Sequence, residues 1–74
     1  MIFIYHIIPL GGTEGQALVA GNLYVNDAVT AIGYIQTVTA PQLAGKSGLE
    51  IILQDARGNE VWRGRYRGNA RRDE

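Results

Sequence analysis

The hydrophobic pattern at the start of the chain predicts a strand that is covered on both faces. Residues 2–10 are rich in β-branched and aromatic side chains, and apolar residues occupy both alternating sets of positions. Glycine and polar residues at 11–16 predict a turn, and residues 17–25 predict a second strand. We expect the two strands to form a hairpin, with a bulge or bend at Gly21 and Asn22.

Residues 26–40 carry two conflicting signals. β-branched residues occupy seven of the thirteen positions from 28 to 40, which favours a strand. At about 100° per residue, however, apolar side chains gather on one side, which favours a helix. Asn26 is a suitable N-cap, Asp27 complements the positive end of a helix dipole, and Pro41 fits a helix that ends just before it. We predict a helix, with an inner strand as the alternative.

A second hairpin near the end of the chain is the clearest element. Residues 49–54 and 60–67 predict two strands, and residues 41–48 before them predict a loop, with one helical turn started by Pro41. In the connection between the strands, Gly58 supplies the positive φ that a tight turn requires.

The register of this hairpin follows from the separation of apolar and charged side chains. With Arg57 and Gly58 as central turn residues, one face pairs Asp55 with Glu60, Leu53 with Trp62, Ile51 with Gly64 and Leu49 with Tyr66. The other face then pairs Glu50 with Arg65, Ile52 with Arg63 and Gln54 with Val61. A shift by one residue mixes arginines with the apolar face and buries charge, so we predict the first register.

The order strand, strand, helix, strand, strand predicts an α+β fold: a small four-stranded, mainly antiparallel sheet with one helix (ββαββ). An all-β, five-stranded fold is the alternative if the middle segment is a strand. We expect residues 1–67 to form a single compact domain and residues 68–74 to form a flexible C-terminal tail. One helix cannot cover both faces of four strands, so a partner sheet is expected, and a homodimer is the simplest form of it.

Length and composition support that expectation. A chain of 74 residues has a small core, and it contains no cysteine to add disulfides. Hydrophobic residues make up 46% and charged residues 19%, so the chain should fold rather than remain disordered. The apolar start lacks basic residues and is too short for a spanning helix. We expect a cytoplasmic protein that does not associate with a membrane.

The distribution of charge predicts a binding surface. All seven basic residues lie between positions 46 and 74 although the net charge is zero. Arginines on a strand face can bind carboxylate or phosphate groups with both arms of the guanidinium fork. The alternative is a solvated sheet face that carries charge to prevent aggregation. The predicted partner-binding residues are Arg57, Arg63, Arg65, Arg67, Arg71 and Arg72.

Other candidate sites are better explained by structure. Trp62 and Tyr66 face the apolar side of the predicted hairpin, which indicates core packing. His6 has no serine, cysteine or carboxylate at a telling distance. The glycines at 11, 12 and 15 match no phosphate-binding fingerprint. We therefore predict no catalytic residues, no metal site and no cofactor.

The predicted element order resembles that of small bacterial ββαββ domains of unassigned function and of some compact phage-encoded anti-CRISPR proteins, which are similarly short, cysteine-free and non-enzymatic. The resemblance covers element order and implies a small inhibitor. We predict a non-enzymatic protein-interaction module that binds a protein partner, not yet identified, through an arginine-rich strand face. A small nucleic-acid or nucleoprotein binder is the alternative, which the pI of about 6.6 disfavours.

Overall fold

The computed structural model describes residues 1–38, 40–43, 46 and 48–67. Two short 3₁₀ turns, Glu14–Gln16 and Pro41–Leu43, lie in the connections between the main elements. The strands and the helix, in chain order, are β1 (Ile2–Pro9), β2 (Val19–Tyr24), α1 (Ala28–Ile35), β3 (Leu49–Asp55) and β4 (Glu60–Arg65).

The four strands form one antiparallel sheet in the order β2-β1-β3-β4. Since β2 and β3 are both antiparallel to β1, they run in the same direction, and the connection through α1 passes from one side of β1 to the other. The predicted α+β fold with a four-stranded sheet and one helix is confirmed. The expected β1–β2 hairpin is also present.

The core lies between α1 and one face of the sheet. Ala31 and Ile35 of the helix are fully buried against side chains from every strand. The predicted apolar face of the second hairpin belongs to this core, including Tyr66 and the partly buried Trp62. The other fully buried core residues are Ile7, Leu43, Ile51 and Leu53.

The ends of α1 differ from the sequence prediction. Asp27, not Asn26, is the N-cap, because its carboxylate accepts a hydrogen bond from the Thr30 amide at 2.7 Å. Hydrogen bonding from Thr30, first of all from its backbone amide, lowers the pKa of Asp27. The helix also ends earlier than expected, at Ile35, because the Thr37 amide and hydroxyl both donate to the Tyr34 carbonyl and tighten the last turn. Pro41 begins a 3₁₀ turn, as predicted.

The predicted bulge at Gly21 and Asn22 is absent, because β1 and β2 pair in continuous register across both residues. The glycine has a packing role instead. A Cβ atom on Gly21 would lie 2.9 Å from the hydroxyl oxygen of Tyr5, which is directly opposite on β1. Gly21 thus leaves the space that the Tyr5 ring occupies.

The register of the second hairpin is confirmed over most of its length. Leu53 lies opposite Trp62 as predicted, and the predicted pairs of Ile51, Ile52 and Glu50 are also present. The register shifts between Leu53 and Gln54, so Gln54 lies opposite Glu60. The predicted pairs Gln54–Val61 and Asp55–Glu60 are therefore wrong.

The shift arises in the turn. The Gly58 amide donates to the Asp55 carbonyl at 2.9 Å, so Ala56 and Arg57 are the central turn residues. Gly58 follows them at φ +89°, and the predicted positive φ is confirmed. The Asp55 carboxylate accepts hydrogen bonds from the amides of Asn59 and Arg57, which lowers the pKa of Asp55.

The second face of the sheet is partly covered by the chain itself. Ile8 and Ile52 lie outside the helix-side core, yet they are 0% and 1% exposed. The Glu14 carboxylate of the β1–β2 connection accepts a hydrogen bond from the Gln54 side-chain amide at 2.9 Å, which holds this connection against the second face. The two-sided apolar pattern of β1 is therefore satisfied in part without a second chain.

Replacing Gly58 by valine should lower the free energy of unfolding by about 1–3 kcal/mol, because valine is strained at positive φ. Gly33 offers a matched control, since it lies within α1 and a Cβ there meets nothing within 4 Å. Gly33→Ala should raise the free energy of unfolding by about 0.5–1 kcal/mol. Urea unfolding of the three proteins measures both changes, and a Gly58→Val variant as stable as the parent would refute the described turn.

Candidate functional site

The predicted arginine face is formed by Arg63, Arg65 and Arg67. All three residues are exposed. They alternate along the chain with the core-side residues Gly64 and Tyr66, so they lie on the second face of the sheet. The three arginines nevertheless have different surroundings.

Arg63 is neutralised within the chain. Its guanidinium forms ion pairs with Glu50 at 3.1 Å and with Glu60 at 3.2 Å. A second hydrogen bond, from Nε of Arg63 to Glu60 at 3.4 Å, completes a two-armed contact with that carboxylate. The hydrogen bonds to Glu60 are the main reason that the pKa of Arg63 is raised. The charge of Arg63 is thus compensated within the chain, which favours the interpretation as a solvated sheet face for this arginine.

Arg65 and Arg67 are different, because neither side chain has an ion pair or hydrogen bond with any described residue. Glu50, which lies opposite Arg65 in the sheet, is engaged by Arg63 instead. Two exposed guanidinium groups therefore lie two residues apart. We call Arg65 and Arg67 the free arginine pair.

The backbone that carries the free arginine pair is held in place from two sides. On the β3 side, the Tyr66 amide donates to the Leu49 carbonyl at 3.0 Å. On the outer side, the Gln36 side chain donates to the Arg65 carbonyl at 2.8 Å and accepts from the Arg67 amide at 2.6 Å. The Gln36 amide thus binds the backbone as a neighbouring strand would.

Tyr66 fixes the segment to the core. Its side chain is 6% exposed, and its hydroxyl donates a hydrogen bond to the Val38 carbonyl. Burial raises the pKa of this phenol. Trp62 is partly buried, and its ring lies over Gly64, where a Cβ atom would clash with it. The core assignment of both aromatic residues agrees with the structure.

Of the other predicted arginines, Arg57 lies away from this site. Arg57 is exposed in the β3–β4 turn, at the opposite end of β4 from Arg65. A strand of that length separates the two by roughly 20 Å. Arg71 and Arg72 lie outside the described residues. The structure therefore brings together Arg65 and Arg67, with Arg63 beside them.

His6 lies in β1 between Ala20 and Ile52. Its Nδ1 atom is buried and has no hydrogen-bond partner among the described residues. Among the described residues, no three or more histidine, cysteine, aspartate or glutamate side chains form a group that could hold a metal ion.

The sequence analysis missed two features. Nothing in the sequence marks Gln36 as a backbone clamp, because its role depends on β4 lying beside the end of α1. The second is a pocket of about 550 Å³ at the turn end of the sheet, lined by Met1, Ile2, Phe3, Asp55, Ala56 and Arg57. It is separate from the free arginine pair.

No protein family, no curated protein and no solved structure matches this chain. The resemblance in element order to anti-CRISPR proteins stays a prediction. In the described ranges, no helix has the length and apolar character needed to cross a bilayer.

Replacing Gln36 by alanine should release the backbone of the free arginine pair, because two hydrogen bonds to it are lost. The Arg67 amide should then exchange with solvent deuterium faster than in the parent, as measured by NMR. We expect unfolding free energy to fall by about 1–2 kcal/mol. Gln42→Ala, at an exposed glutamine in the second 3₁₀ turn, is the matched control and should leave both quantities unchanged. Equal exchange of Arg67 in the parent and in the Gln36 variant would contradict the clamp.

Proposed function

We propose that this chain is a non-enzymatic protein-interaction module that binds an acidic, extended segment of another protein through Arg65 and Arg67. The observation that carries the proposal is the free arginine pair itself. Two exposed guanidinium groups, neither of which has a partner among the described residues, are attached to a backbone that is fixed by Gln36 and Tyr66.

The fixed backbone favours binding. Association costs free energy when flexible groups become ordered, and this cost is smaller when the backbone is already ordered in the free protein. Gln36 and Leu49 hold the segment from both sides, so only the two side chains need to be ordered on binding. An arginine desolvated at an interface can contribute about 2 kcal/mol or more.

The spacing of the pair indicates the form of the ligand. Residues two apart on an extended chain are separated by about 7 Å, and both side chains point to the same face. An extended acidic segment with carboxylates at alternate positions has the same spacing. Each guanidinium can then bind one carboxylate with both arms. We therefore propose alternating acidic residues as the recognised feature.

The local charge favours a protein over nucleic acid. Arg63, Glu50 and Glu60 together carry a net negative charge beside the free arginine pair. These carboxylates would repel a continuous phosphate backbone, whereas a short acidic segment that ends at Arg65 avoids them. The net charge of zero and the pI of about 6.6 support the same choice.

The proposal also includes a homodimer and a cytoplasmic location. The short length and the lack of cysteine motivate the dimer, because a small core without disulfides gains stability from a partner chain. The resemblance in element order adds an inhibitory role, which identification of the partner would test.

Binding is tested with a fluorescent peptide of alternating glutamate and valine, and with the same peptide carrying glutamine in place of glutamate. Replacing both Arg65 and Arg67 by alanine should weaken binding of the acidic peptide at least roughly tenfold. The melting temperature should stay near that of the parent, since exposed charges contribute less than about 1 kcal/mol each to folding. Fluorescence anisotropy and a thermal melt measure the two effects.

Arg57→Ala is the control, because it removes one exposed positive charge roughly 20 Å from the free arginine pair, and it should bind the acidic peptide as well as the parent does. A labelled single-stranded oligonucleotide tests the alternative function. The proposal is wrong if the double variant binds the acidic peptide like the parent. It is also wrong if the oligonucleotide binds more tightly than the peptide and loses affinity steeply between about 50 and 200 mM salt.

A further inference from the structure

The outer edge of β2 is open for pairing. The Val25 amide donates to the Met1 carbonyl at 3.1 Å. In the register of β1 and β2, the odd-numbered residues of β2 therefore direct their amides and carbonyls toward β1. Because the direction of the backbone groups alternates along an antiparallel strand, the amides and carbonyls of Ala20, Asn22 and Tyr24 point away from the sheet. All three residues are exposed, and in the described ranges no hydrogen bond to their outward backbone groups is found.

The two edges of the sheet differ in how they resist pairing. The β4 edge carries Arg63 and Arg65, contains a register shift, and is blocked at its end by Gln36. Charges, bulges and covering groups are the usual protections of an edge strand. β2 has no charged residue, no proline and no register shift. An edge without protection is a template for another strand.

The residues along this edge are complementary to themselves in size. Positions 20–24 read Ala-Gly-Asn-Leu-Tyr, with small residues at one end and large ones at the other. If a second copy pairs antiparallel about Asn22, Ala20 lies opposite the partner's Tyr24. On the other face, Gly21 lies opposite the partner's Leu23. Each large side chain then meets a small one, and Asn22 meets its own copy at the two-fold axis.

We propose that β2 pairs antiparallel with β2 of a second copy, centred on Asn22, and that this joins two sheets into one of eight strands. The inference rests on the homodimer included in the proposed function, and it adds the surface and the register. Three outward residues from each chain give about six main-chain hydrogen bonds. Tyr24, which is 74% exposed in the single chain, becomes covered by the partner.

Self-pairing suits this edge better than pairing with a charged segment. Opposite charges that face each other across two strands stabilise their pairing. Residues 15–26 carry no charge that could attract a charged strand. A one-strand interface lies at the small end of stable interfaces, so the dimer should dissociate on dilution. It also leaves Arg65 and Arg67 free, because β4 is at the far edge of the sheet.

A charge exchange at position 22 tests both the surface and the register. Asn22→Lys and Asn22→Glu each place like charges opposite one another at the two-fold axis, and each should raise the dissociation constant of the dimer roughly tenfold or more. An equimolar mixture of the two variants should restore a dimer. Val29→Lys adds the same charge on the exposed side of α1 and should leave the dimer intact. Sedimentation from roughly 1 to 100 µM measures association, and circular dichroism verifies that each variant is folded.

The proposal is overturned by a monomeric parent over this range, by position-22 variants that associate like the parent, or by dissociation of the Val29 variant alone. It is also overturned if the mixed variants fail to recover a dimer, since residue 22 then does not meet its own copy. Binding of the acidic peptide by a folded, monomeric Asn22→Lys variant separates the two proposals. The arginine function then stands whether or not the β2 pairing does.

Discussion

The antiparallel pairing of β1 with β3 determines where the other strands lie in the sheet. The two strands are paired from Phe3 to Pro9, and Ile7 lies opposite Ile51 with both side chains fully buried. This pairing joins the two hairpins and makes β1 and β3 the inner strands. Because it does so, β2 and β4 become the two edges, and each edge carries one of the two proposed binding surfaces.

Helix α1 links the core to the free arginine pair. Ala31 and Ile35 are buried on the sheet, so the C-terminal end of the helix is brought close to the end of β4. Gln36 immediately follows and binds the backbone at Arg65 and Arg67. In a helix that extended to residue 40, Gln36 would lie within the helix. Because α1 ends at Ile35, Gln36 follows the helix and its side chain binds the edge of β4. Core packing and the presentation of the arginines are thus coupled through one residue.

Much of the fold could be predicted because the side-chain pattern and local propensity agree. The second hairpin separates apolar from charged residues so cleanly that only one register keeps Arg63 and Arg65 out of the core. The turn was less predictable, since Arg57-Gly58 and Ala56-Arg57 centres differ only in which hydrogen bond closes the turn. The N-cap of α1 is also displaced by one residue, from the predicted Asn26 to Asp27, because helix ends are defined only to within one or two residues by sequence.

The site could be predicted only in part. The arginine face follows from alternation along β4, but the engagement of Arg63 by two carboxylates depends on where Glu50 and Glu60 lie around it. The clamp by Gln36 joins residues 29 and 31 positions apart in the sequence, and no local pattern encodes it. Strand order, which decides that β2 is an unprotected edge, is likewise a property of the complete sheet.

We propose that a rigid backbone presents Arg65 and Arg67 to an acidic ligand. The most direct measurement is an NMR titration of the labelled protein with the alternating glutamate peptide, following every backbone amide and the Gln36 side-chain amide. We expect the largest shifts at residues 65–67 and at Gln36, and we expect the backbone amides of residues 65–67 to have the order parameters of rigid backbone before peptide is added. Shifts centred on Arg57 or on β2, or a segment 65–67 that is flexible in the free protein, would contradict it.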